Sequence, residues 1–186
     1  MKTYTIEIAG FTRHLPIIKI NNHLSIASFN LLGDVDLVCA AAEAIAEHLP
    51  HIDVLITAEA KGIPLIYELS KHLKLPRYVV ARKQVKKYMN KPIIHEVQSI
   101  TTAEKQLLAL DYEDAAFLNY KRVAIIDDVI SSGSSLEALE RLVNKAGGKI
   151  VAKACILVEG DSVDRQDVFH LNELPLFTNA MVECLD

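Results

Sequence analysis

Tryptophan is absent from this chain of 186 residues, and aromatic residues make up only 6% of it. That scarcity argues against the stacking platforms on which proteins hold single-stranded nucleic acids. Cysteine is sparse too: Cys39, Cys155 and Cys184 are odd in number, far apart, and set in or near apolar stretches, as reduced core thiols are. No CxxC and no HExxH occurs, so no protein-bound zinc site is expected. No uncharged apolar run approaches the ~18 residues that would span a membrane. The N-terminus, MKTYTIEIAGFTRH, lacks the apolar core of a secretion signal. Two nucleotide loops are missing as well: there is no GxxxxGK followed by Ser or Thr, and no GxGxxG. The net charge of −4 argues against a basic nucleic-acid binder held by phosphate contacts.

What is present is an ordinary globular composition, 51% hydrophobic and 24% charged, with no repeat, linker or low-complexity tract. One compact domain over 1–186 is expected, in a reducing, cytoplasmic setting, with neither nucleic acid nor membrane as partner.

Tyr4 to Ile8 and Leu15 to Ile20 read as a short antiparallel pair. From Asp34 the period changes to that of a helix, with Leu37, Val38, Ala41, Ala44, Ile45 and Leu49 on one face. Asp53 to Thr57 is a buried strand, followed by Gly62-Ile-Pro and a helix through Lys71. Tyr78 to Ala81 is a third strand, then a basic stretch from Arg82 to Lys91 and an extended segment from Ile93 to Ile100. Val123 to Ile126 is another buried strand. A helix from about Ser134 to Lys145 stops at Gly147-Gly148, and Ile150 to Val158 is the last long strand. Apolar strands alternating with amphipathic helices predict an α/β fold with a central parallel sheet flanked by helices. Ligands of such sheets bind at the carboxyl ends of the strands, which directs attention to the residues after Ile56, Ala81 and Ile126.

The strongest local pattern is Val123-Ala-Ile-Ile-Asp127-Asp128-Val-Ile-Ser131-Ser132-Gly133-Ser134-Ser135. A buried strand delivers two adjacent carboxylates to the sheet edge, and a loop of small hydroxyl residues then enters a helix. Backbone N–H groups at a helix N-terminus, with Ser hydroxyls, suit a phosphate. Carboxylates would repel that phosphate directly. They make sense as acceptors for ribose hydroxyls, with Mg²⁺ nearby.

This segment resembles the phosphoribosyl pyrophosphate (PRPP) motif of type I phosphoribosyltransferases. The resemblance implies that Asp127 and Asp128 hold the ribose 2- and 3-hydroxyls and, through PRPP and water, Mg²⁺. It further implies that Ser131, Ser132, Gly133, Ser134 and Ser135 wrap the 5-phosphate. The family often has Thr and a second Gly where this chain has Ser132 and Ser134; hydroxyl and backbone donors survive both changes. Thr57-Ala-Glu59-Ala60-Lys61-Gly62-Ile-Pro64 is similar to the family's pyrophosphate loop, which implies roles for Ala60, Lys61 and Gly62. A cis peptide is then expected between Ala60 and Lys61. Arg82-Lys83-Gln-Val-Lys86 resembles the R-K-x-x-K of adenine-type and orotate-type enzymes, where such residues contact pyrophosphate, some of them across a dimer interface. The orotate type continues with His-Gly, replaced here by Tyr88-Met89, which argues against a pyrimidine.

Ser99-Ile-Thr101-Thr102-Ala-Glu104 falls where the family has a loop that closes over the site. Its S-x-T-x-x-E order is similar to xanthine-type enzymes, and Glu104 lies near the acid of adenine-type loops, which implies a catalytic role for it. Phe29-Asn30 is similar to a base-pocket segment of xanthine-type enzymes, which implies that residues 1–33 contribute a small hood. Hypoxanthine–guanine enzymes carry Glu-Asp for the acid pair and a further Asp at the Ser131 position, and are set aside on that ground. The expectation is a purine phosphoribosyltransferase, a pentosyl-transferring glycosyltransferase that uses PRPP, Mg²⁺ and adenine or xanthine as a homodimer. The alternative is a non-catalytic PRPP sensor like the effector domain of purine-operon repressors, which Ala60-Lys-Gly-Ile-Pro-Leu65 and Ile156-Leu-Val-Glu159 also resemble. Only about thirty residues precede the first long helix, fewer than the ~50 of a minimal DNA-binding domain. That shortage favours the enzyme.

Overall fold

The computed structural model describes residues 2–97, 106–178, 181 and 182. It is an α/β structure built on a five-stranded, all-parallel sheet flanked by helices. In chain order the strands are β1 (Thr3–Ile8), β2 (Phe11–Lys19), β3 (Ser25–Ala27), β4 (Val54–Ala58), β5 (Val79–Ala81), β6 (Ile93–Val97), β7 (Gln106–Leu110), β8 (Arg122–Ile130), β9 (Lys149–Glu159), β10 (Phe169–Leu174) and β11 (Leu176–Phe177). The helices are α1 (Val35–Ala46), α2 (Ile63–His72), α3 (Tyr112–Leu118) and α4 (Ser134–Lys145). The central order is β10-β9-β8-β4-β5.

All five residues of β4 are buried, as a strand covered on both faces must be. Side chains of β8 alternate between two cores. Ala124 and Ile126 pack with α1 and α2, whereas Val123 and Ile125 pack with Leu136, Leu139 and Leu142 of α4. At the opposite edge from the expected site, Arg122 grips Asp53 through Nε (3.1 Å), Nη2 (2.8 Å) and its backbone N–H (2.8 Å). Those bonds hold the Asp53 carboxyl well below the usual carboxylate range and tie β4 to β8.

β1, β2, β3 and β11 form a second, antiparallel sheet, so the expected N-terminal pair is widened by a C-terminal strand. Ile6, Ile8, Leu15, Ala27 and Phe177 join the same core as α1 and α2. Arg13 of β2 makes a two-pronged pair with Asp34, at 2.7 and 2.9 Å, while Asp34 Oδ1 accepts from Leu37 N–H and caps α1.

Three expectations need correction. The helix after Asp34 ends at Ala46, with Leu49 beyond it. The extended segment from Ile93 closes an antiparallel pair, β6 with β7, whose return strand was not foreseen. The short α3 and strands β10 and β11 were also missed; each is too brief or too polar to show a clear period.

Truncating a fully buried face tests this core. Leu139→Ala on α4 should cost about 3 kcal/mol, within the range usual for buried leucines, measured by urea unfolding.

Candidate active site

β8 carries Asp127 and Asp128 to its C-terminal end, beside the ends of β4 and β5. Asp128 is buried, at 7% exposure, and its N–H donates to Asp127 Oδ1 at 2.9 Å. Its Oδ2 is buried with no hydrogen-bond partner among the described residues. Burial, and next the neighbouring Asp128 charge, push the Asp127 carboxyl well above the ordinary carboxylate range, and Lys83 offsets only part of this. Two like charges in a poorly hydrated niche are stable only when one is protonated or when a cation or hydroxyl donors arrive.

A cavity of about 280 Å³ opens over this pair, lined by Glu59, Ala60, Lys61, Lys83, Asp127, Asp128, Ser131 and Ser135 among others. A smaller one of about 120 Å³ adjoins it, lined by Asp127, Val129 and every residue from Ile130 to Leu136. The two share Asp127, Val129, Ser131 and Ser135. Gly133 stands at the N-cap of α4 in the left-handed region, φ 77°, which glycine adopts freely. With no side chain at that position, the first-turn N–H groups face the loop without a cap from Gly133. Ser132 and Ser134 hydroxyls lie 3.0 Å apart across the turn.

The loop between β4 and α2 forms the other wall. Gly62 packs so closely that a Cβ there would stand 2.2 Å from Thr57 Oγ1 and 3.5 Å from Asp127 Oδ1. Lys61 Nζ donates to the Phe29 carbonyl at 3.2 Å, linking this loop to the segment before α1. The cis peptide lies one bond earlier than expected, between Glu59 and Ala60. β4 runs to Ala58 and Glu59 N–H still bonds to the Ala81 carbonyl, so the turn opens at Ala60.

Lys83 reaches the cavity, but Arg82 and Lys86 are not among its lining residues. Arg82 prolongs the edge of β5, exchanging two backbone bonds with Ala109, and its Nε sits 3.0 Å from Glu59 Oε2. Glu59 Oε1 also accepts the Lys83 N–H at 2.6 Å. The sequence motif assigns Glu59 no role, although its place directly after a buried strand is a signal for one. Phe29 is a buried core side chain, so only its carbonyl faces the site loop, and Asn30 is exposed with Oδ1 accepting from Leu32 N–H. Glu104, with Ser99, Thr101 and Thr102, lies outside the described residues.

The donor set is all oxygen at the acid pair, which suits a hard cation such as Mg²⁺. Among the described residues no cluster of three or more His, Cys, Asp or Glu forms a protein cage, so such an ion would take most of its ligands from substrate and water. No described helix is long and apolar enough to cross a membrane.

The acid pair, the hydroxyl loop and the cationic loop thus converge on one crevice at the carboxyl ends of the parallel strands, where ligands of such sheets bind. A family model described as "Phosphoribosyl transferase domain" matches residues 35–176, and the chain belongs to that family. Relatives include a hypoxanthine/guanine phosphoribosyltransferase of Methanococcus voltae, 34% identical over 71% of this chain and 64% of that one. Another of that description, from Methanotorris igneus, is 33% identical over 60% of this chain and 56% of its own length. An adenine phosphoribosyltransferase of Thermosipho africanus is 30% identical over 74% and 78%. The chain thus spans little more than half to two thirds of the hypoxanthine/guanine relatives it matches. The crystal structure of an adenine phosphoribosyltransferase from Rhodothermus marinus superposes with a TM-score of 0.65 at 23% identity, covering 92% of this chain and 94% of that one. That likeness concerns the fold. The relatives carry both the hypoxanthine/guanine and the adenine description, so the type set aside above is among those this chain resembles.

A native carboxyl that keeps its proton to higher pH than in the unfolded chain loses stability as pH rises through its raised pKa. Asp127→Asn should therefore melt with the parent near pH 4. By pH 9 it should melt roughly 2–4 °C higher, the equivalent of about 1 kcal/mol for a chain of this size, in thermal melts without ligand.

Proposed function

We propose that the protein is a purine phosphoribosyltransferase, moving the 5-phosphoribosyl group from PRPP to a purine base and releasing pyrophosphate. One observation carries the reading. A paired, cation-poor carboxylate site lies between a hydroxyl loop at a helix N-terminus and a loop bearing Lys61, all around one crevice. Ser131 to Ser135 and the N–H groups of α4 take the 5-phosphate. Asp127 and Asp128 accept the ribose hydroxyls, which supplies Asp128 Oδ2 with the partner it lacks. Lys61 and Lys83 face the pyrophosphate, with Arg82 held behind them by Glu59. Mg²⁺, when bound with PRPP, supplies further charge neutralisation on the pyrophosphate oxygens.

The reaction forms a bond from a base nitrogen to C1 as the C1–oxygen bond breaks, and the electron pair leaves with pyrophosphate. Charge builds up on the leaving group, so fixed cations there act where the transition state needs them. The aspartates hold the sugar for in-line attack. The antiparallel sheet, with residues 1–33 and β11, is read as a hood that brings the base in from the side of Phe29 and Asn30. Lys61 sits at the junction, bonded to the Phe29 carbonyl. Adenine and xanthine are the bases favoured by the loop motifs, and the relatives add hypoxanthine and guanine to the panel.

Turnover with PRPP, Mg²⁺ and these four bases, followed as pyrophosphate release, tests the reading. One base at least should be consumed, and the double variant Asp127→Asn, Asp128→Asn should lose on the order of 100-fold or more in kcat/KM. PRPP binding with no turnover on any base would sink the enzyme reading in favour of a ligand sensor.

A further inference from the structure

The small cavity at the N-terminus of α4 is lined by one carboxylate and no cation. A phosphate seated there relies on backbone N–H groups and hydroxyls beside Asp127, and the loop must hold its shape without charge to organise it. The structure shows what stands behind that loop. After β9, a 3-10 turn over Gly160–Ser162 brings the chain back against it. Ser162 is buried and its hydroxyl donates to the Ser131 carbonyl. Arg165 lies one turn on, and its Nη1 is the heavy atom nearest to where a Gly133 Cβ would stand, 3.2 Å away.

The other two nitrogens of that guanidinium are fixed. Nε and Nη2 both donate to Asp167, at 3.0 and 2.8 Å. Asp167 in turn pairs with Lys153 of β9, which also bonds Glu140 of α4 at 2.7 Å. The chain of pairs runs from Glu140 on the helix the loop feeds, through Lys153 of the sheet and Asp167, to the guanidinium. One edge of the Arg165 fork is thus anchored and the remaining corner is set against the left-handed glycine.

We infer that Arg165, with Ser162, is a positioning residue for the phosphate loop, holding Gly133 in its left-handed form and placing beside the loop the positive charge its own residues lack. The inference rests on the transferase reading above. It differs from a general role in stability because the pyrophosphate side, on the far wall of the larger cavity, has its own cations and its own anchor in Glu59. Loss of Arg165 should therefore split two ligands that a merely weakened fold would lose together.

The full chain is titrated by calorimetry with ribose 5-phosphate and, separately, with pyrophosphate plus Mg²⁺. Arg165→Gln should weaken ribose 5-phosphate about tenfold, leave pyrophosphate within about twofold and leave the melting temperature unchanged. Equal affinity for ribose 5-phosphate in parent and variant overturns the inference, and so does a parallel loss of both ligands. Should Arg165→Gln fail to fold, Ser162→Ala must show the same selective weakening, and a Ser162→Ala protein that binds like the parent overturns it too. A parent that binds neither ligand defeats the transferase reading itself, and the inference falls with it.

Discussion

Asp127 and Asp128 are neighbours in sequence, held at the end of a strand buried on both faces, in a niche that supplies little positive charge. Two carboxylates in that position repel each other and are poorly hydrated, which pushes the Asp127 carboxyl above the ordinary carboxylate range. The rest of the site is legible as a response to this one arrangement. A protein could quench the pair with a lysine, as it does for Asp53 with Arg122 at the other edge of the same strands. Here Asp128 Oδ2 has no hydrogen-bond partner among the described residues, and on the transferase reading the ligand brings one.

That choice explains how the surrounding loops divide the remaining work. Near the acids, the loop from Ser131 to Ser135 offers only neutral donors, so no side chain of its own quenches Asp127 as a fixed cation would. Further out, Lys61 and Lys83 face the cavity, and an acid, Glu59, is tolerated because it is spent on Arg82 and the Lys83 N–H. The cation behind the phosphate loop is likewise anchored by Asp167, which keeps its charge near the glycine and away from the acid pair. Anchoring, more than the number of charges, decides where each one acts.

Much of this was readable in the chain. Continuous apolar runs at Val54 to Ile56 and Val123 to Ile126 announce strands covered on both sides, and the change of period at Asp34 and Ser134 marks helices. The acid pair and the serine loop are contiguous, so their meeting follows from the turn alone. Arg82 was harder, because successive strand residues point to opposite faces, and its backbone pairing with Ala109 turns it away from Lys83. Ser162 and Arg165 are some thirty residues from the loop they brace, and nothing local in Gly160-Asp-Ser-Val-Asp-Arg165 indicates that contact. β11 joins β3 from the far end of the chain, a pairing no periodicity can announce.

Every residue lining the two site cavities lies within 35–176, the segment that matches the family, whereas β1, β2 and β3 lie before it. On the transferase reading proposed above, the handling of phosphate, ribose and pyrophosphate therefore falls within the shared core. A base differs from its competitors by a few hydrogen bonds, and these can be set by elements outside that core without disturbing the acid pair. The Lys61–Phe29 carbonyl bond joins the loop between β4 and α2 to the segment leading from the antiparallel sheet. An occupant that draws Lys61 toward itself must also release that carbonyl, so on the transferase reading the crevice and the segment before α1 are coupled through this bond.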